Sequence, residues 1–184
     1  MQAERDITQL EAKFAELDPS PSDTGTVEMI VARPAVDERN IVETVELDTV
    51  EGLVGDNWKA RGSRHTDDGS AMIEAQITLM NSRVIDLLAG EKTRWSLAGD
   101  QFFVDYDLSD ENLPAGQRIQ LGTAVLEISE LPHTGCAKFT ERFGSGAIRF
   151  VNSPAGRAAR HRGLNARVIT NGTVNTGDTI SKID

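Results

Sequence analysis

The run Leu131-Pro132-His133-Thr134-Gly135-Cys136-Ala137-Lys138 holds the only cysteine of the chain. A strand ending at Pro132 and a turn through Thr134-Gly135 predict that Cys136 opens a short helix over 136–143, closed by Gly144. Helix starts carry unpaired N–H groups and a partial positive charge. Lys138 and Arg142 add to that field, and His133 is near enough in sequence to hold or relay a proton. Such surroundings favour thiolate over thiol, and a thiolate attacks electrophilic sulfur or binds a soft metal. Composition alone suggests a plainer role for a lone cysteine, that of a small buried hydrophobe.

The charge around Cys136 separates these readings. The chain carries net charge −10, which disfavours nucleic acid and anionic membranes as partners. Between Pro132 and Thr170, however, stand seven basic residues (Lys138, Arg142, Arg149, Arg157, Arg160, Arg162 and Arg167) and one acid, Glu141. A basic island in an acidic protein predicts a local anionic partner, and it contains Cys136. Within it, Gly144-Ser145-Gly146 followed by Arg149 has the make-up of a phosphate cradle or of an ordinary turn. One cysteine excludes an internal disulfide and, without a resolving partner, weakens a dithiol mechanism. The spacing His133-x-x-Cys136 suits zinc, but the chain has only three histidines to complete such a site. Asp105, Asp107, Asp110 and Glu111 are acidic enough for calcium but lack the spacing of a calcium loop. They read as a solvated loop, and Trp58 and Trp95 read as packing residues.

The positioning elements are mostly strands. Ile7, Leu10, Phe14 and Leu17 recur at helical spacing and predict an opening helix over 4–17, broken at Asp18-Pro19-Ser20-Pro21. Residues 1–22 thus form an amphipathic helix and linker, able to dock on the core or on a second subunit, and 23–184 form a single domain. Strands are predicted over 26–32, 40–50, 75–80, 101–106, 118–121, 124–129, 166–170 and 179–183. Asn81 is placed to cap a helix closed by Gly90, and 59–70 reads as a long loop containing His65. Many short strands with few helices predict a mainly β fold, a closed or partly open barrel with short flanking helices. No run is long and apolar enough to span a membrane, and the acidic N-terminus lacks a secretory pattern, so the expected compartment is the cytoplasm.

Four segments, in order, resemble the molybdenum-cofactor-sulfurase C-terminal (MOSC) domain family: Gly52-Leu53-Val54-Gly55-Asp56; Gln76-Ile77-Thr78-Leu79; Glu111-Asn112-Leu113 with Gly116 and the hairpin 121–127; and Cys136 with Gly163, Ala166-Arg167-Val168, Gly172 and Gly177-Asp178. The resemblance runs from about Gly52 to Ile183. One departure is Asn57-Trp58 after Asp56, where family members often have a histidine.

The resemblance implies a β-barrel and makes Cys136 the functional cysteine, either carrying sulfur as a persulfide or binding molybdenum in a pterin cofactor. His133, close to Cys136 in sequence, is the second catalytic candidate. It makes Asp56, Asn112, Lys138, Arg142, Arg149 and Arg162 candidates for holding molybdenum cofactor, whose phosphate matches the basic island. The large sulfurases carry a pyridoxal-phosphate domain for which this chain has no room, so sulfur is expected to arrive from a partner, and a sulfur donor or acceptor protein is the expected partner. Three functions follow: a sulfur carrier or transferase, a molybdenum-dependent oxidoreductase acting on N-hydroxylated compounds, and a non-catalytic binding module.

Overall fold

The computed structural model describes residues 6–184. In chain order the elements are α1 (Ile7–Ala15), β1 (Thr24–Ala32), β2 (Asn40–Val42), β3 (Thr44–Asp48), β4 (Gly52–Leu53), α2 (Trp58–Arg61), β5 (Ile77–Asn81), α3 (Ser82–Ala89), β6 (Phe102–Asp105), β7 (Arg118–Leu121), β8 (Ala124–Ile128), α4 (Ala137–Asn152), α5 (Pro154–Ala158), β9 (Leu164–Thr170), β10 (Gly172–Asn175) and β11 (Thr179–Ile183). Short 3-10 helices cover Ile73–Ala75 and Lys92–Ala98. Residues 4 and 5 of the predicted opening helix lie outside the described residues.

Strands β11, β7, β8, β9, β5, β6 and β1 follow one another, and β1 pairs back onto β11, which closes a seven-stranded barrel. Strand β2 is added to β1, and β10, β3 and β4 form a separate three-stranded sheet. The predicted mainly β barrel with flanking helices is therefore the observed fold. The pairing of β5 with β6 is parallel, so the chain must cross over between them through α3 and the 92–98 helix.

The period of two in the strands explains which side the helices cover. Ile77 and Leu79 of β5, Phe102 and Val104 of β6, and Ile30 of β1 join the barrel interior. Met80, Phe103, Met29 and Val31 point outward into a second core shared with α1, α3 and α4. Strands buried on both faces read as continuous apolar runs, as 77–80 and 102–104 do. In β7 the alternation of exposed and buried residues persists. Helix α1 docks on this second core: Leu10 is fully buried, and the Phe14 ring meets Phe150 edge-on at 5.7 Å.

Four local expectations change. The 40–50 run is two strands belonging to different sheets, not one. Part of the 59–70 loop is helical, as α2. Gly144, at φ 89°, breaks the helix after Cys136, but a second helical segment follows at once. Asn171-Gly172, a sequence pair suited to a turn after 166–170, leads straight into a further strand, with Gly172 the first residue of β10. The Asn81 cap is as expected, with its side chain accepting from the Val84 N–H at 3.0 Å. Among the described residues, no helix is long and apolar enough to cross a membrane.

Candidate functional site

The site is organised by the carbonyl end of the 92–98 helix. The last carbonyls of a helix lack intrahelical partners and carry partial negative charge. Arginines from three elements take them in succession. Arg142 of α4 donates to the Leu97 carbonyl at 2.8 Å, Arg162 before β9 to Ala98 at 3.0 Å, and Arg33 after β1 to Gly99 at 2.9 Å. A Cβ placed on Gly99 would lie 3.7 Å from Arg39 Nη2, so a fourth guanidinium covers the same turn.

Two buried carboxylates answer these charges. Asp100 is fully buried and accepts from Arg162 Nη1 at 2.6 Å. Burial raises the Asp100 carboxyl pKa, against the pull of Arg162. The Arg162 guanidinium also lies over the Phe139 ring, 4.8 Å from its centroid. Asp56 accepts from Arg33 Nε at 2.7 Å and Nη2 at 3.0 Å, and from the Trp58 N–H at 2.9 Å. Its side chain has no exposed surface. Asp56, expected among the cofactor contacts, is thus the buried counter-charge of Arg33, with both oxygens bonded inside the protein.

Cys136 is exposed and free, at the N-cap of α4, and its side chain makes no capping bond. Its carbonyl accepts from the Thr140 N–H at 3.1 Å and the Thr140 hydroxyl at 3.3 Å, which fixes the first turn. Gly135 precedes it at a close approach, where a Cβ would come within 2.3 Å of Ile148 Cδ1. His133 faces Asp100, with Nε2 3.5 Å from the carboxylate. Burial, then the Arg162 and Arg33 charges, hold its pKa well below the ordinary histidine value. His133 is consequently neutral near pH 7, and the Asp100 contact is not an ion pair. Behind residues 129–134 lies a cavity of about 280 Å³ lined by His133, Thr134, Glu130, Arg157, Arg160 and Arg162.

Lys138 and Arg142 lie one turn apart on α4 and share the Asp37 carboxylate. Arg39 stands beside them. Its pKa is lowered by burial and then by the Arg142 and Arg33 charges, and its Nε has no partner. Arg162 Nε is likewise buried without a partner. The cluster thus joins the predicted His133, Lys138, Arg142 and Arg162 to four residues missed in sequence, Arg33, Asp37, Arg39 and Asp100, and Cys136 opens α4 two residues before Lys138. A charge directly after an apolar strand (Arg33) and an acid after Gly99 (Asp100) were the available signals.

Two candidates do not join it. Asn112 donates to the Asp107 carbonyl at 2.7 Å and accepts from Lys182 at 2.7 Å, so it ties a loop to β11. Arg149 is largely exposed, bonds the Ser145 carbonyl at 3.3 Å and stands 4.0 Å from Asp6, at the start of α1. It makes no bond to the cluster, and its side chain lies on the exposed surface toward the start of α1. His65, in the exposed loop, accepts from Arg64 at 3.3 Å. In the acidic loop, Asp105 pairs with Arg83 and Asp110 with Arg160. Among the described residues no three His, Cys, Asp or Glu side chains are grouped to hold a metal ion.

The family model of the MOSC domain matches residues 65–181. In structure the chain is similar to the YuaD protein of Bacillus subtilis, with TM-score 0.64, 20% identity, and coverage of 85% of this chain and 94% of that one. It is also similar to YiiM of Escherichia coli (TM-score 0.56, 16% identity, 86% and 70% coverage) and to YiiM of Geobacillus stearothermophilus (0.57, 13%, 87% and 75%). These likenesses concern the fold. No curated protein matches the chain in sequence.

Proposed function

Because the chain belongs to the MOSC domain family, we propose that it is a sulfur carrier whose Cys136 takes up and hands on sulfur, beside a cationic rim for an anionic ligand. The observation that carries this reading is the exposed, free thiol at the start of α4, the helix that also carries Lys138 and the anchored Arg142. A carrier must offer its sulfur to a partner's active site, which an exposed N-cap position permits.

In the transfer step the Cys136 thiolate attacks the terminal sulfur of a donor persulfide. A new S–S bond forms at Cys136 as the donor's own breaks. The donor departs as a thiolate, and no electrons are lost or gained overall.

The cofactor associated with this family is the molybdenum cofactor, and the rim fits it on chemical grounds. Arg39 and Arg162 each keep a buried Nε without a partner, and Arg39 is crowded by like charges. Lys138, Arg142 and Arg39 would hold the phosphate, and Cys136 would offer the metal a soft ligand. When bound, that group supplies a redox-active centre and an acceptor for sulfur. This cation excess favours a second reading, a molybdenum-dependent oxidoreductase.

Intact-mass measurement of protein incubated anaerobically with a cysteine desulfurase and cysteine tests the carrier reading. We expect an adduct of one sulfur atom, absent in Cys136→Ser. An unmodified wild-type mass refutes sulfur carriage. Molybdenum in protein made in a cofactor-competent host, lost in Cys136→Ala, supports the second reading.

A further inference from the structure

The most exposed part of the rim is already occupied by a carboxylate of the protein itself. Residues 33–39 connect β1 to the three-residue edge strand β2, and Asp37 stands in this connection. Its carboxylate lies 2.8 and 3.1 Å from Lys138 Nζ and 2.9 Å from Arg142 Nη2. To reach that position Asp37 adopts φ 63°, in the left-handed region that few residues other than glycine enter. The neighbouring Val36 is 69% exposed, so no apolar packing holds the connection down at that residue. Beyond its own turn bond, Glu38 N–H to the Ala35 carbonyl at 3.2 Å, the Asp37 carboxylate is its fastening to α4.

We infer that the Lys138–Arg142 cradle is an exchangeable site for a phosphate monoester, for which the Asp37 carboxylate stands in. This rests on the reading of the rim as the place where a ligand's anionic end sits, and adds what must leave when it does. Asp37 is a half-exposed single negative charge. A phosphate monoester brings nearly two charges at neutral pH and three acceptor oxygens. Lys138 and Arg142 alone saturate a carboxylate. Arg39 is near enough for its charge to be felt by Asp37, and it adds a third cation suited to the larger anion. Exchange then swings residues 35–38 away from α4, at the modest cost of loosening an exposed connection, and leaves Arg39 at the Gly99 turn.

The test uses the full chain and phenyl phosphate as probe, followed through the backbone amide signals of Asp37 and Glu38. A tethered competitor lowers apparent affinity by the fraction of time it occupies the site, so Asp37→Asn should tighten binding roughly threefold to tenfold. Glu38→Gln removes a charge next door without touching the cradle and should give no comparable gain. In the wild type the probe should move both amides toward their positions in Asp37→Asn without probe, and Lys138→Gln should weaken binding. Equal gains in Asp37→Asn and Glu38→Gln would overturn the exchange while leaving the cationic rim intact. Binding indifferent to Lys138→Gln would overturn the rim as well. Benzoate binding as tightly as phenyl phosphate would overturn the assignment to a phosphate. Sulfur loading of Cys136 in the wild type, read by intact mass, is scored separately. A higher molybdenum content in Asp37→Asn from a cofactor-competent host would identify the cofactor as the source of the phosphate; tighter phenyl phosphate binding without that rise would identify another metabolite.

Discussion

His161 should make the fold sensitive to acid by an amount its surroundings allow to be worked out. The imidazole is 5% exposed, stacked on Phe150 at 4.6 Å and met edge-on by Phe14 at 4.4 Å. Neither ring nitrogen has a partner. Burial accordingly lowers its pKa from 6.5 to about 4. The folded protein resists protonating this ring while the unfolded chain accepts a proton at about pH 6.5, so acid favours unfolding. The stability contributed by the neutral ring is fully present above pH 6.5 and is lost as pH falls from there through 4. A tenfold difference in proton affinity between the folded and unfolded chain is worth about 1.4 kcal/mol, so the loss between pH 7.5 and 4.5 is about 2.5 kcal/mol. Urea unfolding of wild type and His161→Phe at several pH values in that range isolates the effect, because the carboxylates are common to both. The gap between the two proteins should move by about 2.5 kcal/mol in favour of the variant as pH falls. Parallel stability curves would refute the reasoning, since they would mean that the ring is charged or partnered in the fold.

Other substitutions separate structural roles from binding roles. Asp56→Ala leaves Arg33 buried without its partner and should cost about 3–5 kcal/mol in chemical denaturation; a cofactor contact at the surface would cost stability nothing. Leu10→Ala should cost about 2–4 kcal/mol by opening a cavity under α1, whereas unchanged stability would mean that α1 does not dock in solution. Arg149→Ala should change stability by less than about 0.5 kcal/mol and leave phenyl phosphate binding intact. A loss of binding there would restore Arg149 to the rim.

The barrel was legible because its strands keep period two or, where both faces are buried, read as apolar runs. The failures have specific causes. The alternation over 40–50 continues through Glu43, yet Ile41 pairs with Val31 in one sheet and Val45 with Val174 in another. Periodicity reports which face is buried and not which sheet does the burying. Strand β10 was missed because Asn-Gly favours turns, while Gly172 is needed for close approach: a Cβ there would lie 2.4 Å from the Ala124 nitrogen. At the site, the legible half was the basic stretch around Cys136. Asp37, Asp56 and Asp100 are individually unremarkable acids in a chain of net charge −10. Only folding distinguishes the buried Asp56 and Asp100 from Asp37, which stays half-exposed in the cradle.

The place of the site follows from the topology of the barrel. The parallel pair β5–β6 demands a crossover, and the 92–98 helix is its last piece before β6. Gly99, at φ 91°, turns the chain there and leaves three successive carbonyls free for side-chain donors. Those carbonyls collect Arg142, Arg162 and Arg33 from α4, the start of β9 and the end of β1, segments far apart in sequence. Each guanidinium is held by neutral dipoles as well as by a carboxylate: Arg33 by Asp56, Arg142 by Asp37 and Arg162 by Asp100. Dipoles hold a cation without cancelling its charge. Two of the carboxylates are buried and cannot leave, while Asp37 is exposed and can. The releasable charge therefore lies on the side of the cluster formed by α4, the helix that Cys136 begins.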